Sequence, residues 1–576
     1  MIPYLTDIVR LYLGDFIDWG DYFRLRKGDA VDVETETASL LGIAETGARI
    51  CRELEPSLRE GWNAEARLEE GEVVYPPHIE TAYRTLADAG LVSFAVEERY
   101  GGFGLPALMT NILLQMIARA DAGLMTLIGL QAGVADDIQL YASEELRKRY
   151  LPRFASGEVM GAMDLTEPSA GSDLGGITTR AIEREGAIVL QGQKIFITNG
   201  GSEVHLVLAR DDDTFEDSKG TTRGLSLYLC PRTLEDGQPN GIRVVRLESK
   251  LGIHGSPTAA IEFHDAEAYL VGVKGEGFKA MLTLMNNARL GVGAQGIGIA
   301  EAALDAALSY ARERKQFGIP IGDQPLMKNI LARMIVALEG SRALLYRTCV
   351  LVDRNRAIET YLAREGGLSE SERARCTAVL ERNEVRIRLL TPLAKYLATE
   401  SCDEITRYAI QVHGGLGYMA ESVVGKLHND GIITTIYEGT SEIQVSFALR
   451  EIGKGALTVV FDEVRAELEQ LKEPALEPYG ARIREGIDRI LECSPALLAD
   501  PSYALLSAQS LAEVVISVIV GAELLKQSDR DPERLPIAAT WVERRMNDLA
   551  ARTARIAAGS ADLLSRCEKM VAAVQR

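Results

Sequence analysis

The hydrophobic positions change period twice along the chain. From Glu34 to Phe154 apolar residues recur at intervals of three and four, so TAYRTLADAG and MTNILLQMIARADAGLMTLIGLQAGV predict helices punctuated by Gly and Pro. EERYGGFGLP (Glu97–Pro106) interrupts that pattern and predicts a loop. Around Met160 the runs become short and alternating: AIVLQGQKIFITNG, VHLVLAR, GLSLYLC, IRVVRLES and TAAIEFHDAEAYLVG predict strands of an antiparallel sheet or barrel. Asp211–Gly224 is a charged hairpin loop expected to face solvent. After Gly277 the helical period returns. FKAMLTLMNNARLGVGAQGIGIAEAALDAALSYARERKQF predicts one long buried helix, with others through Leu397 and again from Ala448. Arg354–Cys376 is a polar elbow, and beyond Gly455 a further helical block has weak breaks at LKEPALEPYG and SPALLADPSY. The expected class is α+β, mainly α. Residues 1–40 form an N-terminal extension, 41–157 an N-terminal helical domain and 158–274 a middle antiparallel β domain. Residues 275–455 form a C-terminal helical bundle and 456–576 an additional helical domain.

The 576 residues, 47% hydrophobic and 25% charged, match a globular chain of three or four domains. No run reaches the ~18 uninterrupted apolar residues of a membrane span. The first twenty residues carry acids and no basic leader, a poor signal peptide, so a cytoplasmic location is expected. A net charge of −20 without a Lys/Arg tract argues against nucleic acid as partner. The seven cysteines are scattered and never spaced CxxC, which predicts reduced, mostly buried thiols. The six histidines include no HxxxH pair, and no metal site is expected.

Several segments carry candidate chemistry, each with a plainer reading beside it. Gly291-Val-Gly293-Ala-Gln-Gly296 matches GxGxxG, but it sits inside a helical run instead of between a strand and a helix; small residues there let another helix approach. LTEPSAGSDLGG (Leu165–Gly176) offers backbone N–H groups and the hydroxyls of Thr166, Ser169 and Ser172 to a phosphate or ring edge, or is an ordinary interstrand loop. KIFITNGG (Lys194–Gly201) alone is a hairpin, and RERKQFG (Arg312–Gly318) a basic helix end. QVHGGLGY (Gln411–Tyr418) breaks a helix with glycines whose backbone can lie against a ligand; His413 reads as packed, not catalytic. IITTIYEGTSEIQ (Ile432–Gln444) places Glu438 after an apolar strand-like run. A carboxylate in such surroundings has a raised pKa and serves as a general base. Equally, Thr440 or Ser441 caps the next helix with Glu438 just outside it; both hold together.

Taken in this order, EERYGGFGLP, LTEPSAGSD, KIFITNGG, RERKQFG, QVHGGLGY and IYEGTSEIQ resemble the signatures of the flavin-dependent acyl-CoA dehydrogenases over Leu40 to Lys454. KLGIHGSPT (Lys250–Thr258), MNNARLGVG (Met285–Gly293) and the C-terminal extension resemble the large subgroup that includes 3-methylmercaptopropionyl-CoA dehydrogenases. The resemblance implies FAD between the sheet and the C-terminal helices, and an acyl-CoA oxidised to the trans-2-enoyl-CoA. Glu438 then abstracts the α-proton while a β-hydride passes to flavin N5, and the Glu438 N–H polarises the thioester carbonyl. Some relatives carry the base on the long helix; the matching position here is Ala288, before Arg289. By the same resemblance Thr166, Ser172, Phe196 and Thr198 contact the flavin end, with Phe196 where many members have Trp. Arg314, Phe317, Gln411, Gly414 and Gly415 reach the FAD of a neighbouring subunit, and Thr440 the adenosine side. Tyr437, Gly439, Asn286 and Arg289 fall on the substrate. Gln316, Glu442 and Pro325 depart from commoner family residues, at adenine and ribose contacts. A homodimer or dimer of dimers is implied, with electron-transfer flavoprotein as acceptor. A flavin oxidase on the same fold, or a non-catalytic flavin-containing scaffold, are the competing functions. An intact Tyr437-Glu438-Gly439-Thr440 motif and the acidic charge favour the dehydrogenase.

Overall fold

The computed structural model describes residues 2–364, 368–559 and 562–574. The chain divides into two compact units, one of Pro3–Leu5 and Gly42–Ala302, the other of Met1–Ile2, Thr6–Leu41 and Ala303–Arg576.

In the first unit, α1 (Ala107–Ala120) and α2 (Ala122–Tyr141) are one apolar run in the sequence, divided by Asp121. Its extended backbone ends the first helix, and its carboxylate accepts from Leu124 N at 2.8 Å to cap the second. Seven strands follow: β1 (Gly161–Asp164), β2 (Arg180–Arg184), β3 (Ala187–Thr198), β4 (Val204–Asp211), β5 (Leu225–Pro231), β6 (Ile242–Leu247) and β7 (Thr258–Val271). The order β4-β2-β3-β7-β5 closes on itself because β5 also pairs with β4, so these five strands form a small barrel. The pairing is not purely antiparallel as the alternation suggested: β4 runs parallel to both β1 and β2. Every residue of β4 and β5 is buried. Leu206 and Leu208 join the apolar cluster that includes Leu151 and Phe154 of the helix Glu144–Ala155, while Val207 and Tyr228 belong to a second cluster with Ile261 and Phe263. A two-strand hairpin (Arg67–Glu69 with Glu72–Val74) lies inside the region expected to be wholly helical. Its residues are half-exposed or exposed and carry no apolar alternation.

The loop after β4 is not a merely solvated hairpin. Arg210 is buried, and its guanidinium donates to the carbonyls of Gly175, Ile177, Ser218, Thr221 and Arg223, so the segment folds around one cation. Asp211 accepts from Ser226 Oγ and Tyr228 OH at 2.7 and 2.5 Å.

The long helix α3 (Gly277–Glu313) starts in this unit and ends before Phe317, short of the expected bound; Lys315–Gln316 already pairs with Ile319–Pro320. The Gly291–Gly296 run lies wholly inside this helix and not at a strand-to-helix turn, which disposes of the dinucleotide reading, and the close packing falls just beyond it, at Gly298. A Cβ on Gly298 meets Gln115 O of α1 at 2.3 Å. Gly298→Ala is therefore expected to cost about 1–3 kcal/mol through overpacking, measured as a fall in thermal midpoint; an unchanged midpoint contradicts so close an approach.

The second unit is helical. Helices α4 (Pro325–Ala363) and α5 (Glu370–His413) run antiparallel, α5 opened by a reciprocal capping box between Ser369 and Glu372. The elbow's Glu365, Gly366 and Gly367 lie outside the described residues. Then come α6 (Ser441–Gly453), α7 (Ala456–Glu469), α8 (Glu477–Leu498), α9 (Pro501–Arg530) and α10 (Leu535–Ala558). By length and composition α9 alone among the described helices could cross a membrane, yet 72% of its most apolar stretch is buried; it is the core helix of the extension. Trp541 of α10 packs on Gly340 of α4 and donates to Ser517 O of α9 at 3.0 Å, tying the extension to the bundle.

A buried charge cluster joins α4, α5, α7 and α9. Arg347 of α4 donates to Glu467 of α7 and Glu523 of α9 at 2.8 and 2.9 Å and lies 3.3 Å from Glu463. Lys526 pairs with Glu467 and Glu523, and Arg386 of α5 with Glu463. The N-terminal segment joins in. Tyr12, on the short helix Asp7–Leu13, donates to Glu523 at 2.7 Å and accepts from Gln527.

Candidate functional site

In the sheet-bearing unit the candidate flavin residues gather at the end of β3. Pairing of β3 with β7 slips between Lys194 and Ile197, and in this bulge Phe196 takes φ +58° and is 60% exposed. A bare aromatic on a bulged strand is uncommon, and a left-handed non-glycine residue stores about 1–3 kcal/mol of strain that the surroundings must hold. Asn199, just beyond half-buried Thr198, is also left-handed; it accepts from Tyr75 and donates to Gly161 O, pinning the strand end.

The Leu165–Gly176 loop is fastened to this strand by groups the sequence did not single out. Lys194 is fully buried, and its ammonium donates to Leu165 O, Glu167 Oε1 and Leu208 O at 2.8–2.9 Å. Ile195 N donates to Thr166 O. Burial alone pushes the Glu167 carboxyl up, but Lys194 and donors from Thr178 and Thr179 outweigh it and hold it down at about 2. Thr166 is thus clamped on both sides, half-buried, while Ser172 stays exposed farther along the loop. An exposed ring, the hydroxyls of Thr166 and Thr198 and a rigid loop backbone are a fitting donor and stacking set for an isoalloxazine and its side chain.

On α3 in the same unit, buried Arg289 donates to Asn286 Oδ1 at 2.8 Å one turn back, so these two candidates form a single polar group. Asn287 between them donates to Asp136 of α2 at 2.9 Å. Ala288 packs with Met285 against the apolar cluster, and supplies no rival carboxylate.

In the helical unit Glu438 does not follow a strand. The β-branched run IITTI completes the helix Val423–Ile432 and a short 3₁₀ turn, Ile433–Thr435; Tyr437 and Glu438 then form the turn into α6. Glu438 has φ +54° and Gly439 φ +92°, two successive left-handed residues. Glycine is required at 439, where a Cβ meets Gln444 Nε2 at 2.8 Å. Thr440 caps α6 through Ile443 N at 3.4 Å, as the plainer reading held, and Ser441 donates to Glu400. Tyr437, Glu438, Gly439 and Thr440 are all half-buried. Two residues the motifs passed over hold this turn. Gln444 Nε2 donates to both Glu438 O and Gly439 O at 2.9 and 3.0 Å, and Lys395 of α5 donates to Gly439 O at 2.8 Å.

The remaining candidates lie on the surface of this unit. Arg314 and Gln411 are exposed, as are Gly414 and Gly415; Phe317 is left-handed and 93% exposed. His413 stacks on Tyr310 at 4.4 Å and contacts Ala409 O, the packed role expected of it. All seven cysteines are free thiols, five of them buried. Among the described residues no three His, Cys, Asp or Glu side chains gather to hold a metal.

Three family profiles match the chain: acyl-CoA dehydrogenase N-terminal domain at residues 50–158, middle domain at 162–266 and C-terminal domain at 275–365 and 370–453. The 3-methylmercaptopropionyl-CoA dehydrogenase of Ruegeria pomeroyi is 34% identical, over 85% of this chain and 82% of its own length. The butyryl-CoA dehydrogenase structure from Megasphaera elsdenii is 28% identical with TM-score 0.58, covering 75% of this chain and 99% of that one. An acyl-CoA dehydrogenase structure with FAD from Bacillus anthracis is 23% identical with TM-score 0.74. It covers 98% of this chain and 95% of its own, so its fold extends through the C-terminal helices.

Proposed function

Because the chain belongs to the acyl-CoA dehydrogenase family, we propose that it oxidises an acyl-CoA thioester to the trans-2-enoyl-CoA with Glu438 as the base. The supporting observation is the strained Glu438–Gly439 turn, which carries a half-buried carboxylate on a rigid, triply bonded backbone. FAD, when bound, supplies the two-electron acceptor for the β-hydride. Glu438 takes the α-proton onto its carboxylate as the α,β double bond forms, and its backbone N–H donates to the thioester oxygen, where negative charge develops. That donation is needed because an unactivated α-C–H is far too weak an acid for a free carboxylate. Arg289 and Asn286 line the acyl-CoA, with Tyr437 and Gly439. Thr166, Ser172, Phe196 and Thr198 hold the flavin end of the cofactor, and Thr440 its adenosine side. Arg314, Phe317, Gln411, Gly414 and Gly415 hold the FAD of a neighbouring copy, in a cytoplasmic homodimer or dimer of dimers. The exposure of Phe317, Leu326 and Tyr418 supports a covering subunit. The electrons leave to electron-transfer flavoprotein.

The test is an anaerobic titration of the yellow protein with butanoyl-, octanoyl-, hexadecanoyl- and 3-methylmercaptopropionyl-CoA, followed by the flavin's visible absorption. Bleaching by one of them, with its enoyl-CoA formed, is the expected result and names the acyl class. A yellow protein that none of them bleaches overturns the dehydrogenase reading in favour of the scaffold, and fast reoxidation by air points to the oxidase.

A further inference from the structure

We propose that Gln444 and Lys395 are positioning residues for the Glu438 carboxylate, holding the left-handed turn on which it stands; this rests on Glu438 being the base. A residue at φ +54° returns to the extended or right-handed region unless something outweighs its strain. Here the restraint falls on the two peptide planes that follow the Glu438 Cα. The Glu438 carbonyl accepts from Gln444 Nε2, and the Gly439 carbonyl accepts from both Gln444 Nε2 and Lys395 Nζ. With both planes fixed, the Glu438 side chain leaves the backbone in one direction.

The chemistry of both donors fits this use better than it fits stability. Lys395 has no exposed surface, and sinking an ammonium in a helix-packed interior is costly unless its bonds are needed. Gln444 is likewise fully buried, and its Oε1 has no hydrogen-bond partner, an arrangement that wastes half of the amide. What the amide retains is its N–H group on the two carbonyls beside the base. Gln444 lies one helical turn inside α6, whose first residues are set by the Thr440 cap, so the donor is carried by a regular element and not by the turn itself.

Gln444→Met keeps the length of the side chain, removes both N–H bonds and also removes the unpartnered oxygen, so the fold is expected to survive. With whichever of the four acyl-CoAs is turned over fastest, kcat per flavin falls about ten- to a hundredfold, the scale of a misplaced reacting group. KM changes less than about threefold, because Arg289, Asn286 and Tyr437 still meet the substrate and the Glu438 N–H bond strengthens chiefly as charge develops on the thioester oxygen. The isotope effect on kcat with α-deuterated substrate rises as proton abstraction becomes slower. Lys395→Met lowers kcat in the same way with a larger loss of thermal midpoint, and the double variant loses less than the product of the two. An unchanged kcat in Gln444→Met, beside an inactive Glu438→Gln, overturns the positioning role while leaving the base in place. So does a parallel loss of kcat, flavin content and midpoint without a rise in the isotope effect. Full activity in Glu438→Gln overturns both readings.

Discussion

Glu438→Gln is expected to keep the yellow cofactor and the thermal midpoint of the parent protein while losing turnover by about a thousandfold or more. The amide matches the carboxylate in size and leaves in place the backbone N–H of residue 438, the proposed donor to the thioester. The Gln444 and Lys395 bonds go to carbonyls at 438 and 439, not to the side chain, so the turn keeps its restraints. What disappears is the proposed proton acceptor. Ala288, where some relatives place their base, is an alanine packed with Met285 against the apolar core, and offers no carboxylate in its place. Stopped-flow reduction of the flavin reads the step directly. A variant reduced at more than about a tenth of the parental rate contradicts the assignment, because loss of a positioned base costs at least a hundredfold.

Arg347→Ala is expected to have the largest effect on stability. Its side chain is 5% exposed and meets three carboxylates from two helices, while Glu523 is itself almost fully buried. Removing one partner of a buried pair leaves uncompensated charge and costs about 3–5 kcal/mol. The thermal midpoint of the helical unit should fall by roughly 5–15 °C. The loss has a definite pH dependence. Burial pushes the Glu467 carboxyl up, but Arg347 and Lys526 outweigh it and hold it at about 2. A carboxyl depressed on folding contributes stability that is complete above its unfolded pKa of about 4.3 and lost as pH falls towards 2. Arg347→Ala forfeits the Arg347 share of that contribution at neutral pH, leaving Lys526 on Glu467, so the gap between parent and variant narrows on acidification from pH 6 towards pH 3. A constant gap, or a shift under about 2 °C at pH 7, shows that the cluster is not the hub it resembles.

Much of this architecture is visible in the residues, and what is not has identifiable causes. AIVLQGQKIFIT and VHLVLAR became strands and the three-and-four spacing became helices, because each pattern matches the face it buries. The stretch before Glu438 misled for the converse reason. Ile, Thr and Tyr favour strands, but packing of the neighbouring helices decides for a helical turn. The candidate base was legible from its motif, whereas Lys194, Lys395 and Gln444 were not. A lysine inside QGQKIFIT or LLTPLAKYLAT reads as a polar interruption at a surface, and only the fold shows it sunk against carbonyls. The acids of α7 and α9 likewise look like the wet faces of amphipathic helices until Arg347 is placed among them. The Arg67–Val74 hairpin carries no periodic signal because neither of its strands has a fully buried face.

The bond from Tyr12 to Glu523 also bears on how the molecule is made. Its two residues are 511 positions apart. At about 5–20 residues per second, roughly 25–100 s of translation separate them. Earlier partners reach Tyr12 first: Trp19 donates to its carbonyl at 3.2 Å, and the ring of Tyr346 lies 5.2 Å from its own. Its hydroxyl waits longest, until Glu523 and Gln527 have been made. The second unit therefore takes up its opening segment in stages, and the last bonds to it form only once the helix Pro501–Arg530 is available.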